Sequence, residues 1–418
     1  MSSRVTFILA ICLTILGVWG FLTHKSVREL QTPAPRIFEI QSIDTMKYSR
    51  DPARQILENP TKFDSVIEKQ IANIASTGAT HVAIATPYDE EFIPVLKMWV
   101  TSARKHNLKV WFRGNFSGWE GWFDYERIDR ETHFAMTKKF IENNPDLFES
   151  GDLFVSCPEC ENGGPGDPRM NGDLVGHRTF LIKEYEMTKK AFENLGVSVA
   201  LNYFSMNGDV AELVMDRETT NALDGVVTID HYVKDPEKLI ADIQRMHEKS
   251  GGMILLGEYG VPIPDIHGPM SNEEQALWIR KSLELLAQEK SVIGINYWVN
   301  HGGSTRIWTE RYEPLPAVSE LAKVFKPNTF MGHVVRPSGR PIDTVFIISP
   351  YTQAVTTKGS FQIPVLKDEP ITFEKMGYEN TIVTFDGSTS SQKIILKPEK
   401  SSFTDMVWDL GYWINPFN

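Results

Sequence analysis

Cysteine is scarce. The 418 residues hold three, too few for a disulfide framework to organise the fold. Cys12 lies inside an apolar run behind the bulky Ile11, a setting that argues against lipid attachment. The other two form Cys157-Pro158-Glu159-Cys160, which reads as half a zinc site, a local disulfide or two free thiols. Positive charge is in deficit too. Lys and Arg number 43 against 54 Asp and Glu, a net charge of −11, and no long basic run offers a nucleic-acid surface. A glycine-rich phosphate turn is missing after the first predicted strand, where Ser42-Ile43-Asp44-Thr45 stands instead. With no flavin or nicotinamide fingerprint and no paired-histidine metal motif, we expect neither cofactor nor metal. Asp167-Pro168-Arg169 and Asn171-Gly172-Asp173 carry oxygen ligands but lack EF-hand spacing.

Long apolar runs are limited to Val5–Leu22, interrupted by Thr6 and Thr14. As a helix it would extend about 27 Å at ~1.5 Å per residue, close to the hydrocarbon thickness of a bilayer. No small-x-small cleavage site follows, so residues 1–27 read as a transmembrane signal anchor. Cleavage and secretion is the alternative. Arg4 is balanced by Lys25 and Arg28, so charge does not orient the anchor. The soluble part is expected outside the cytoplasm because the chemistry inferred below belongs there.

After a polar linker at 28–35, strand and helix patterns alternate through 36–327. The expected strands are Ile37–Ile43, His81–Ala85, Lys109–Phe112, Leu153–Ser156, Val197–Leu201, Val226–Ile229, Met253–Gly260 and Val292–Tyr297. Helical spacing lies between them. Asp235 and Pro236 mark one helix start, and Ser271-Asn272-Glu273-Glu274 is a capping box at another. Eight repeats over roughly 290 residues predict the α/β class and a (β/α)8 TIM barrel. A doubly wound open sheet is the alternative. Beyond it, 328–400 has short alternating runs with turn signals, the pattern of a small all-β sandwich. Its Gly and apolar spacing resembles the carboxypeptidase regulatory-like (transthyretin-like) modules, which implies a non-catalytic accessory. The tail, 401–418, holds Trp408, Tyr412 and Trp413 and is expected to pack back on a domain.

The seventh strand, Met253-Ile-Leu-Leu-Gly-Glu258-Tyr-Gly260, ends an apolar run in one carboxylate. A charge at the end of a buried strand is costly unless paired or used, and barrel catalysis lies at the C-terminal strand ends. Glu258 is therefore the candidate nucleophile. The fourth strand ends in Ser156-Cys-Pro-Glu159-Cys-Glu161-Asn162. Together these endings resemble clan A glycoside hydrolases, retaining enzymes on (β/α)8 barrels with an acid/base Glu after strand four and a nucleophile Glu after strand seven. The resemblance implies Glu159 and Glu258 in those roles, a carbohydrate substrate and no cofactor. One departure is Pro158, where the clan usually has Asn. It leaves Glu161 as alternate acid.

By the same resemblance Tyr232 orients the nucleophile and Trp298 forms a platform under the sugar, where an apolar pyranose face stacks on indole. Core packing is the other reading of both. Trp119 and Trp122, in the loop after strand three, could form outer subsites or pack beneath it. Arg113, Asn115, Asn202 and His231 fall at strand ends and are candidates to bind hydroxyls. The expected activity is hydrolysis of O-glycosidic bonds by double displacement. Its rival is a glycan-binding or scaffold protein that does not cut. The sequence carries no signal for the sugar, the linkage or the oligomeric state.

Overall fold

The structure, a computed structural model, describes residues 36–387 and 390–399. The anchor, the linker and the aromatic tail fall on 1–35 and 400–418, outside the described residues. No helix among the described residues is long and apolar enough to cross a membrane.

Nine parallel strands form one sheet. They are β1 (Ile40–Asp44), β2 (His81–Ile84), β3 (Lys109–Phe112), β4 (Leu153–Phe154), β5 (Ala200–Leu201), β6 (Ser205–Asn207), β7 (Val226–Asp230), β8 (Met253–Tyr259) and β9 (Val292–Tyr297). Their order is β5-β4-β3-β2-β1-β9-β8-β7-β6. The two edge strands are consecutive in the chain, so the sheet curls into an α/β barrel. Every residue of β1, β2 and β7 is buried, as parallel strands covered on both faces require.

Outside run α1 (Pro60–Ser76), α2 (Ile93–Lys105), α3 (Arg130–Asn143), α4 (Leu174–Leu195), α5 (Gly208–Val214), α6 (Pro236–Ser250), α7 (Asn272–Gln288) and α8 (Pro316–Phe325). Asp235 caps α6 by accepting from the Lys238 N–H. Ser271 and Glu274 close the capping box of α7 reciprocally. Both features were readable in the sequence.

The fifth repeat departs from expectation. Val197–Leu201 does not make one strand; β5 pairs with β4, the chain turns at Asn202, and β6 pairs with β7. Asn202 has φ +46°, a conformation Asn tolerates better than most residues. Its side chain accepts from the Ser156 N–H (2.9 Å) and donates to Thr188 Oγ1 (2.7 Å), which fixes the turn. The helix expected from Asp209 to Asn221 is correspondingly split into α5 and Arg217–Ala222.

Seven further strands follow: β10 (Asn328–Val335), β11 (Phe346–Ile348), β12 (Gln353–Val355), β13 (Ser360–Val365), β14 (Pro370–Glu374), β15 (Thr381–Thr384) and β16 (Gln392–Ile395). They form two sheets, β13-β10-β16 and β12-β11-β14-β15. Phe330 and Phe361 of the first meet Phe373 of the second, with ring centroids 6.3 and 5.3 Å apart. This apolar core is separate from that of the barrel.

Candidate active site

Arg113 follows β3 and is 1% exposed. A buried guanidinium is tolerated only when its charge is met, and residues of four other strands meet it. It pairs with Asp44 (2.9 Å), Asp230 (3.2 Å) and Glu258 (3.2 Å), and donates to Ser205 Oγ (3.0 Å). Burial alone would lower its pKa, but Asp230, Glu258 and Asp44 reverse the sign and raise it. Gly257 makes room beneath: a Cβ there would stand 2.4 Å from Asp230 Oδ1. Asp44 also accepts from Asn296 Nδ2 (3.1 Å) and the Met46 N–H (2.6 Å). The expectation that Arg113 binds sugar hydroxyls is thus corrected. It lies under the carboxylates as their counter-charge.

Glu258 lies on β8. Its Oε1 faces Arg113, and its Oε2 accepts from the Tyr232 hydroxyl at 2.8 Å. Burial, and then the charge of Asp230, push its pKa up to about 8 against the opposing pull of Arg113 and Tyr232. Tyr232 itself is pushed well above its usual range by burial and by the Glu258 charge, and so remains a donor.

Glu159 has φ +46° and donates its N–H to the Ser205 carbonyl (2.7 Å). Its carboxylate is half-buried and accepts from Asn162 Nδ2 (3.1 Å) and Asn207 Nδ2 (3.4 Å). Burial pushes its pKa up to about 8, followed by the charges of Glu258 and Glu161, with Arg113 opposing. Glu161 is 3% exposed and accepts from the Asn207 N–H (2.9 Å) and Nδ2 (3.3 Å). Burial raises it as well. The sulfurs of Cys157 and Cys160 lie against one another, as in a local disulfide, and the two residues bracket Glu159.

Besides Asp44, Asp230 and Ser205 around Arg113, two further residues of this centre were not singled out in the sequence. Asn207, at the end of β6, links Glu159 to Glu161, and it was hidden because the second half of the fifth strand was not recognised. Glu120 accepts from Asn115 Nδ2 (2.6 Å). Burial pushes it up to about 7. A lone Glu in the loop after β3 was its only signal.

The remaining candidates divide. Trp298, half-buried, makes an edge contact with Tyr232 at 6.2 Å. Trp122 is half-buried beneath the Arg50 guanidinium, 4.7 Å from its ring. Trp119 is 1% exposed, stacked on Phe180 at 5.1 Å, with its Nε1 donating to the Cys160 carbonyl. It is core, the packing alternative of its two readings and not the subsite one. Asn115 is buried, holding Glu120 and accepting from the Phe116 N–H (2.8 Å). Asn202 is occupied by the fifth-strand turn. His231 turns outward to Asp242 on α6, with Nε2 at 2.9 Å. None of these three has a side chain directed to Glu258 or Glu159 by its hydrogen bonds.

No protein-family model and no curated sequence matches the chain. Among solved structures it is similar to β-glycosidase BGL167 (13% identity, TM-score 0.45, 63% of this chain and 86% of that one). It is similar to native xylanase 10B from Thermotoga maritima (12%, 0.46, 69% and 95%). A fungal β-1,4-galactanase also matches (13%, 0.47, 68% and 99%). At these values the chemistry rests on this chain's own residues.

Proposed function

We propose that the protein is a retaining glycoside hydrolase. The observation that carries this reading is the unequal environment of Glu258 and Glu159. Burial pushes both carboxyls up to about 8, but Glu258 has the Arg113 guanidinium and the Tyr232 hydroxyl to favour its ionised form, whereas Glu159 has only two amide donors. A counter-charge held against one carboxyl of a pair and not the other assigns which of them ionises first. Glu258 attacks the anomeric carbon, and the leaving oxygen takes the proton of Glu159. Ionised Glu159 then draws a proton from water as that water releases the sugar from Glu258. Glu159 is preferred to Glu161 as the acid because it is half-exposed, while Glu161 is buried under Asn207. Trp298 is the stacking surface for the sugar.

The rival, a barrel that binds glycan without cutting it, rests on Pro158 in place of the clan's Asn. We place the active part outside the cytoplasm, membrane-anchored or secreted. A disulfide between Cys157 and Cys160 fits an oxidising compartment. Turnover of a panel of aryl glycosides, abolished by Glu258→Gln with sugar binding retained, is the expected result. No turnover on a broad panel, with binding intact, would favour the rival.

A further inference from the structure

The turn after β1 carries two cations, and each lies over a tryptophan. Lys47 Nζ is 5.5 Å from the ring centroid of Trp298, and the Arg50 guanidinium is 4.7 Å from that of Trp122. Asp51 is their shared counter-ion, 2.8 Å from Arg50 but 3.7 Å from Lys47. One carboxylate thus serves two cations, and Lys47 has the weaker share.

The position of Lys47 is built. Gly302 and Gly303 both have positive φ, and their backbone wraps the lysine stem. A Cβ on Gly302 would stand 3.1 Å from Lys47 Cβ. One on Gly303 would stand 3.7 Å from Lys47 Cε and 3.9 Å from Trp298 Cη2. His301, just before the pair, stacks on Tyr48 at 5.0 Å and joins that loop to the turn carrying Lys47. Arg306 adds a third cation, donating to the Gly303 carbonyl at 3.1 Å. The Gly302-Gly303 segment, which reads in the sequence as a plain turn, therefore lies against a lysine beside Trp298, whose ring meets that of Tyr232, the donor to Glu258.

An indole suffices for a neutral pyranose, because the contact is apolar. An ammonium over that ring matches a sugar that carries negative charge. We propose that the substrate is an acidic glycan, and that Lys47 recognises an anionic substituent, a hexuronate carboxylate or a sulfate ester, on the sugar stacked against Trp298. This rests on the reading of the site proposed above. Lys47 is a specificity residue and takes no part in bond breaking.

The test is binding to the full-length protein carrying Glu258→Gln, measured by calorimetry with matched linear oligosaccharides: a hexuronate series, a sulfated series and a neutral series. The expected result is at least about tenfold tighter binding of one anionic series than of its neutral counterpart, the scale of a charge-assisted hydrogen bond. That ratio falls toward one in Lys47→Met, is largely kept in Lys47→Arg, and declines with added salt. Which anionic series binds separates carboxylate from sulfate. A ratio near one without the lysine change, a ratio that survives in Lys47→Met, or no binding of any series would overturn the proposal. Failure of the hydrolase reading is a different result: aryl glycoside turnover that Glu258→Gln leaves intact, or none at all, beside a preserved anionic preference.

Discussion

At the scale of single residues, one guanidinium sets the electrostatics. Arg113 stands among Asp44, Asp230 and Glu258, and Glu159 lies in the same field. Because Glu159 is raised to about 8, its acid form persists at neutral pH. It donates below that value and is lost as pH rises through it, so kcat/KM is expected to fall on the alkaline side near pH 8. Glu161→Gln removes a like charge that helps raise Glu159. The alkaline limb should then move to lower pH, measured as a pH–rate profile on one aryl glycoside. Glu159→Gln should lower kcat by about 10²–10⁴ on a poor leaving group, and far less on a good one. If Glu161→Gln shows that leaving-group dependence instead, the acid has been misassigned. Glu258 was singled out by its position at a strand end and Tyr232 by the family resemblance, and the two are hydrogen-bonded. Arg113 was found in the right place with the wrong task, because its burial depends on carboxylates brought from three other strands.

At the scale of elements, the loop after β3 and the broken fifth strand decide which side chains reach the centre. Trp119 closes the loop onto α4 through Phe180 and caps the Cys157–Cys160 loop through the Cys160 carbonyl. Trp119→Ala should cost about 3–5 kcal/mol of stability, as large aromatic truncations in cores do. Denaturant unfolding measures this, and a loss of sugar affinity without loss of stability would contradict the core assignment. Asn202 is the hinge of the fifth strand. Asn202→Ala leaves the Ser156 N–H without its acceptor and places alanine at positive φ, a cost of about 1–3 kcal/mol. The sequence left Trp119 between subsite and core, and offered no turn role for Asn202. Trp119 and Trp122 occupy the same loop and differ only in what folds over them, and an Asn at a strand end reads alike whether it binds ligand or turns the chain.

At the scale of the whole molecule, the alternation of apolar runs and helical spacing was enough to read the barrel. Parallel strands buried on both faces are mostly apolar, and that pattern survives without knowledge of contacts. The second β unit was readable as short alternating strands. Its own core, around Phe330, Phe361 and Phe373, predicts unfolding in more than one calorimetric transition. Phe373→Ala should lower one transition and leave the barrel's in place; a single transition shifted as a unit would mean the two cores unfold together. Treatment with an activated 2-fluoro glycoside of the sugar the protein accepts, followed by peptide mass spectrometry, asks most directly whether two distant glutamates work as a pair. The account requires a glycosyl adduct on Glu258, formed more slowly from a poor leaving group when Glu159 is changed to Gln. An adduct on another residue, or turnover with inverted anomeric configuration and no adduct, would contradict it.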